Sequence, residues 1–405
     1  MPPRLPSPGP IDKSDFRMLI RTDEYPIQGG RFMEFGIFSQ MHVPPWDDEH
    51  SRYLRELEVS LAVEAAGFKY DWSPEHHFLK NYSHQPAPEV YLSWVAARTK
   101  RIHVGTAIVN ITAAVNHPAR VAERIAVMDH LSEGRVEFGT GRGSSSAEWA
   151  GFAIPSAAET KPMWRESLEQ IPRMWRDEPY AFEGRYFRMP ERNVLPKPYS
   201  KPHPPIWVAC SSPPTFIEAG ELGLGSLCFT FGTPAEIAEH VRNYKEAIKR
   251  CTNPIGEYVN DNIAVTTNMF CLEDGDKARH LYSRARVEAF TEFFFGWLDS
   301  IPRPKGFPRE GPIKVPPSTP EELRAGLAVG GRQIGAPEEI VRVIEMYEAL
   351  GVDQLIYAPL TLTLDQKYVL ESIETFGRHV LPRFDQDPMH RTTRQREAAL
   401  KAKAA

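Results

Sequence analysis

Glu75-His76-His77 is the part of this chain best equipped to move a proton near neutral pH. Histidine is the one side chain whose unperturbed titration falls there, and a carboxylate beside it can orient the ring. The tripeptide closes a short apolar run, Phe68-Lys69-Tyr70-Asp71-Trp72, that follows a helix-like segment ending in Ala65-Ala66-Gly67. A histidine pair in a loop is also a common surface or packing feature, so its place in the fold decides. A second constellation is Gly139-Thr140-Gly141-Arg142-Gly143-Ser144-Ser145. Its glycines let backbone N–H groups approach an anion, Arg142 offers a forked cation, and Ser144 and Ser145 offer hydroxyls. A third is Ala209-Cys210-Ser211-Ser212, followed by Thr215 where a helix begins and free N–H groups favour an anion. A plain tight turn is the competing reading of the glycine-rich stretch.

Other chemistries fail on spacing. Gly139-x-Gly141-x-Gly143 is followed by Ser144 where a dinucleotide fingerprint needs glycine, and no helix starts at once. No lysine follows these glycines, which excludes a P-loop. Catalytic zinc usually takes three protein ligands, and only the adjacent histidines and Glu75 are close in sequence; His103 and His117 could join only through the fold. No metal is expected.

The elements that must position these residues alternate. Apolar runs beginning near Arg31, Phe68, Arg101, Arg135, Pro205, Gly225, Asn262 and Asp353 read as eight strands, separated by segments of helical period. Eight such units predict a parallel (β/α)8 barrel of the TIM type, with an open doubly wound sheet as the alternative. In a barrel, the three constellations fall at the carboxyl ends of strands, on the rim where such folds do chemistry. Thr106 and Asn110, along the third strand, belong to the same rim.

Residues 1–30 read as an extension, 31–383 as the barrel, and 384–405 as a tail mixing Arg, Lys and Ala, expected as a solvated or frayed helix. Insertions are expected near 177–204, with a hairpin around Phe182-Glu183-Gly184-Arg185, and near 296–335, where Pro and Gly break the rhythm. The chain has 405 residues and a formal net charge of -5, which leaves no basic footprint for nucleic acid. No apolar run approaches a membrane span, no hydrophobic leader opens the chain, and the four cysteines are widely spaced. A reduced, cytoplasmic protein is the simplest expectation.

Taken together, the motifs resemble the bacterial luciferase-like flavin-dependent monooxygenase family. The matching stretches are Met33-Glu34-Phe35-Gly36-Ile37-Phe38, Trp72-Ser73-Pro74-Glu75-His76-His77-Phe78, Val104-Gly105-Thr106-Ala107, Asn116-His117-Pro118 with Glu123, Asp129-His130-Leu131-Ser132-Glu133-Gly134-Arg135 leading to Gly139-Thr140-Gly141-Arg142-Gly143, Pro205-Ile206-Trp207-Val208-Ala209 and Leu355-Ile356-Tyr357. They span about residues 32–382.

The resemblance implies a (β/α)8 barrel, a homodimer, and reduced FMN delivered by a separate NAD(P)H:flavin reductase, with O2 and a small organic molecule as substrates. It implies His76 as the catalytic base or hydrogen-bond partner, with His77 orienting or packing. It implies Arg142 and Ser144 at the flavin phosphate, with Ser211, Ser212 and Thr215 more loosely there, and Lys161 where relatives use arginine. Thr106 and Ala107 would lie against the flavin ring, at a place where the family often has a non-proline cis peptide. Gly141 stands where the light-emitting chain has cysteine, which argues against light emission and suggests room for a bulkier substrate. Two alternatives stay open: an F420-dependent oxidoreductase, or a non-catalytic flavin-binding protein, on the same barrel.

Overall fold

Eight apolar runs of the sequence become eight parallel strands that close on themselves. The computed structural model describes residues 33–404 except 45, 81, 230–231, 286–288, 302, 304–306 and 360–363. The extension expected over 1–30 lies outside the described residues.

In chain order the elements are β1 (Glu34–Phe38), α1 (Glu49–Ala66), β2 (Tyr70–Ser73), α2 (Pro88–Arg98), β3 (His103–Thr106), β4 (Val109–Asn110), α3 (Pro118–Leu131) and β5 (Val136–Gly141). Then come α4 (Ser146–Gly151), α5 (Ala157–Arg176), β6 (Tyr180–Glu183), β7 (Arg188–Arg192), β8 (Ile206–Cys210), α6 (Pro213–Glu221), β9 (Gly225–Phe229) and α7 (Pro234–Lys249). The last are β10 (Ile263–Cys271), α8 (Gly275–Arg284), α9 (Ala289–Trp297), α10 (Pro320–Ala328), β11 (Gln333–Gly335), α11 (Pro337–Ala349), β12 (Gln354–Ala358), α12 (Gln366–His379) and α13 (Arg391–Ala404). The barrel runs β1-β2-β3-β5-β8-β9-β10-β12, and β12 pairs with β1 to close it. The expected hairpin is β6–β7, antiparallel and apart from the barrel.

Local chemistry sets the helix ends. Asp48 accepts the Ser51 N–H at the start of α1, and Gly67, at φ 96°, stops it in the left-handed region. α3 opens on Pro118, where a missing N–H costs nothing, and the His117 side chain accepts from Ala119 N.

The barrel is packed rather than hollow. Tyr70, Trp72, Trp207, Leu227, Ala264 and Ile356 fill its interior. Trp72 and Trp207 meet edge to face with centroids 5.3 Å apart. Small neighbours make room: a β-carbon on Gly105 would lie 2.3 Å from Trp72 Cε3, and one on Gly225 2.4 Å from Trp207 Cε3.

The tail departs from expectation. α13 crosses the amino ends of the strands and closes the barrel floor. His390 stacks on His103 at 3.6 Å, and Thr392 Oγ1 donates to Glu137 Oε1 at 2.6 Å. Lys69 bridges Glu34 at 2.8 Å and Asp385 at 3.0 Å. The polar composition that reads as solvated instead meets buried polar partners at the strand starts, which no local pattern reveals. Within the expected 296–335 insertion lie α10 and β11, which extends β10, and α9 begins just before it. The sequence of α9, Ala-Phe-Thr-Glu-Phe-Phe-Phe-Gly-Trp, is apolar nearly all round and so carries little periodicity.

Candidate active site at the carboxyl rim

β2, β3, β5 and β8 are consecutive neighbours in the barrel, so the three constellations share one arc of the rim. His76 follows β2, and its backbone N–H donates to Gln85 O at 2.9 Å. Its Nδ1 lies 3.1 Å from Glu148 Oε1, and the same oxygen accepts His77 N–H at 2.9 Å. A carboxylate oxygen accepts, so Nδ1 is the donor of this pair, and in the neutral imidazole that leaves the lone pair on Nε2. Nε2 makes no hydrogen bond among the described residues, and the His76 side chain retains 13% exposure. An oriented imidazole with a free basic nitrogen at a barrel rim can take a proton.

Glu75 plays a different part. It accepts from His77 Nε2 at 2.9 Å, Asn110 N at 3.0 Å and Asn116 Nδ2 at 2.8 Å. Those bonds hold the loop after β2 to the β4 segment. His77 is thereby tied down, and its ring meets Phe152 edge-on at 4.8 Å. The two histidines are separated by their partners: Glu75 anchors His77, and Glu148 orients His76.

The third-strand residues divide. Thr106 is fully buried, donating to Gly139 O at 2.8 Å and accepting Gly139 N–H at 2.9 Å, which leaves its hydroxyl no proton to donate to a ligand. Among the described residues the non-proline cis peptide is Ala107–Ile108, beside the place the resemblance indicates. Asn110 Oδ1 accepts Thr112 N–H and Oγ1–H at 3.1 and 2.7 Å. The suggestion of extra room at Gly141 is corrected: a β-carbon there would lie 2.5 Å from Ile108 Cγ1, so Ile108 fills that space.

The glycine-rich turn carries features of a ligand cradle. Gly143 has φ 74°, and a β-carbon on it would meet Asn110 Nδ2 at 3.1 Å and Trp149 Nε1 at 3.4 Å. Ser145 Oγ, Glu148 Oε2 and Trp149 Nε1 are buried with no hydrogen-bond partner among the described residues. Buried polar atoms are costly when unpaired, so such a cluster fits a polar group of a bound molecule. Arg142 Nη1 donates to Thr160 Oγ1 at 2.7 Å, while its Nε and Nη2 make no hydrogen bond among the described residues. Ser144 turns its carbonyl to Ser300, whose N and Oγ donate at 3.2 and 2.9 Å.

On β8, Ala209 follows the interior-facing Trp207 at the same parity yet is exposed, so the barrel mouth is open above the tryptophans. Cys210 is buried and its thiol is pushed up to about 12 by burial, so it packs and stays protonated. The Thr215 hydroxyl ties the start of α6 to the Ser212 backbone, Ser212 N–H donating to Thr215 Oγ1 at 3.3 Å and Thr215 Oγ1–H to Ser212 O at 2.6 Å; Ser211 is exposed beside them. Lys161, on α5, is half exposed and paired with Glu218 at 3.0 Å, which also holds Arg165. Among the described residues no group of three or more His, Cys, Asp or Glu is placed to hold a metal ion.

An aromatic cover faces His76. Tyr82 lies against the imidazole at 5.3 Å, and Phe290, Phe294 and Phe295 of α9 form an apolar cluster with it. Phe294 stacks on Phe229 at 4.9 Å. His42, between Tyr82 and Phe290, is lowered to about 3 by burial and is neutral. Glu148 and this cover escape sequence reasoning. The visible signal for Glu148 is an acid three residues after Ser145, the spacing of a helix start.

The luciferase-like monooxygenase family model matches residues 33–354. The chain belongs to that family. Its members include flavin-dependent monooxygenases and F420-dependent oxidoreductases. The oxygenase component of the flavin-dependent trigonelline monooxygenase of Acinetobacter baylyi is 24% identical, over 89% of this chain and 98% of that one. The F420-dependent glucose-6-phosphate dehydrogenase of Kineococcus radiotolerans is 31% identical, but over 42% of this chain and 51% of that one. Among solved structures, the monooxygenase RslO1 of Streptomyces bottropensis superposes with a TM-score of 0.73 at 23% identity, over 87% of this chain and 100% of that one. Luciferase-like membership makes the chain an oxidoreductase. No helix among the described residues is long and apolar enough to cross a membrane.

Proposed function

We propose that this chain is the oxygenase component of a two-component FMN-dependent monooxygenase. It would take reduced FMN from a separate NAD(P)H:flavin reductase and act on a small organic substrate. The observation that carries this reading is the His76–Glu148 pair, a carboxylate-oriented imidazole with a free Nε2 on the barrel rim. When bound, reduced flavin would supply the activation of O2. The turn from Gly141 to Ser145, with Arg142 as its cation, would hold the phosphate, and Ser211, Ser212 and Thr215 would line its far side. Ala107, Asn110 and Ala209 would border the ring, with Thr106 and Cys210 acting through the backbone surface they hold in place.

The chain's own residues handle the proton and the water. His76 Nε2 accepts a proton from the reacting partner, and Glu148, bonded to Nδ1–H, stabilises the imidazolium that results. Tyr82, Phe229, Phe290 and Phe294 keep bulk water from that nitrogen, which strengthens the charge interactions around it. FMN is preferred to F420 because the flavin-dependent relative aligns along nearly its whole length, while the F420-dependent one aligns over about half.

Titration of the protein with reduced FMN and with reduced F420 under anaerobic conditions, followed by exposure to O2, tests the reading. FMN-dependent oxygen incorporation into a substrate is expected; hydride transfer from F420 without O2 would overturn it. Flavin binding without any substrate-dependent change in flavin reoxidation would instead favour a binding protein. A homodimer belongs to the same proposal: Leu54, Val90, Trp94, Val127 and Leu131 are exposed on the adjacent helices α1, α2 and α3. Light scattering of the purified protein should give twice the monomer mass.

A further inference from the structure

α4 has only six residues, and an isolated helix that short has too few internal hydrogen bonds to persist. Its first N–H groups need partners from outside. The residue before it, Ser145, makes no side-chain capping bond. The partner comes instead from the far side of the sequence. Asp299 Oδ1 accepts Ser146 N–H at 2.9 Å, and Asp299 Oδ2 accepts the Ser146 hydroxyl. Ser300 adds two donors to Ser144 O, at 3.2 and 2.9 Å. Asp299 and Ser300 lie one residue beyond α9, the helix of the aromatic cover. Glu148 is the third residue of α4, so the oxygen that orients His76 sits one turn from this borrowed cap.

We infer that Asp299 is a positioning residue for His76: by capping α4 it holds Glu148 in place, and so couples docking of the aromatic segment to the protonation pattern of the imidazole. This rests on the reading of His76 as the base. With the cover docked, α4 is capped, Glu148 Oε1 receives Nδ1–H, and the lone pair is on Nε2. With the clasp broken, α4 loses its external cap and Glu148 its fixed position, and the imidazole has no partner to select its tautomer. The base is therefore set only when the wall that excludes water is also in place.

Nuclear magnetic resonance of the imidazole nitrogens tests this on 15N-labelled full-length protein, with the His76 signals assigned by their loss in His76→Gln. At a pH where the imidazole is neutral, the parent should show Nδ1 protonated and Nε2 unprotonated. Asp299→Ala should shift His76 toward a mixture of tautomers and raise amide exchange in α4 about fivefold, the scale of a lost cap. The His103 signals at the barrel floor should not move. Asp299→Asn, which keeps an acceptor for Ser146 N–H, should restore most of the parental pattern. A parental tautomer and unchanged α4 exchange in Asp299→Ala would overturn the inference. If that variant does not fold, Ser146→Ala removes one of the two bonds: a partial shift of both readouts supports the coupling, and no shift overturns it. These readouts need neither flavin nor turnover. Failure to bind FMN would therefore strike the proposed function and leave the coupling standing.

Discussion

The two ends of the barrel are built from similar polar residues and put them to opposite uses. At the floor, Glu34 and Glu137 are supplied with donors, and Lys69 forms an ion pair with Asp385. Glu34 accepts from Lys69 and Tyr70 at 2.8 and 2.6 Å and from Arg391 N–H at 2.9 Å, while Glu137 takes Trp207 Nε1–H at 2.7 Å and the Thr392 hydroxyl at 2.6 Å. At the rim, Ser145 Oγ, Glu148 Oε2 and Trp149 Nε1 are buried and, like His76 Nε2, make no hydrogen bond among the described residues. A satisfied network stabilises, whereas an unsatisfied one costs free energy unless something binds. The floor holds the fold together, and the rim is where the proposed site lies.

Four measurements break or sharpen that contrast. Lys69→Ala should have the largest effect: it strands the Glu34 and Asp385 carboxylates and should cost about 3–5 kcal/mol in urea unfolding, with reduced-FMN affinity unchanged in whatever protein remains folded. His76→Ala should do the reverse, cutting turnover about 10²-fold while the urea midpoint stays at the parental value. Equal turnover in that variant would remove His76 from the chemistry. Arg142→Ala should weaken flavin binding about tenfold in an equilibrium titration, as expected for loss of a charged hydrogen-bond donor. An unaltered dissociation constant would take Arg142 out of the phosphate site.

The smallest effect is a pH slope at the floor. Burial pushes the Glu137 carboxyl up from 4.5 to about 8, so the folded chain holds that proton more tightly than the unfolded chain. Its contribution to stability is fully present below pH 4.5 and is lost as pH rises toward 8. Glu137→Gln should flatten the fall in melting temperature across that window, and an unchanged slope would show that another group sets it.

Much of the fold was legible because each barrel strand is a short apolar run between breakers, a local pattern. The rim was legible for the same reason: glycines, Arg142 and the histidine pair sit in fixed places just after those runs. Glu148 was not, since an acid in a six-residue helix has no periodicity to announce it and its partner lies 72 residues away. The roles of Thr106 and Lys161 were also invisible, because their hydroxyl and ammonium are engaged by Gly139 and Glu218 across the fold. The tail misled most. Its Arg, Lys and Ala content reads as solvent-facing, and only the amino ends of β2, β3 and β5 supply the partners that bury His390 and Thr392.

By itself the sequence determined the alternation of strands and helices, the barrel that follows from eight of them, and which residue types gather at strand ends. Those are consequences of backbone sterics and apolar period, which act over a few residues. Tertiary structure alone decided which carboxylate meets which histidine, what fills the space beside Gly141, and where the aromatic helix and the last helix dock. These depend on contacts between residues far apart in the chain, whose energies exist only once the barrel has closed.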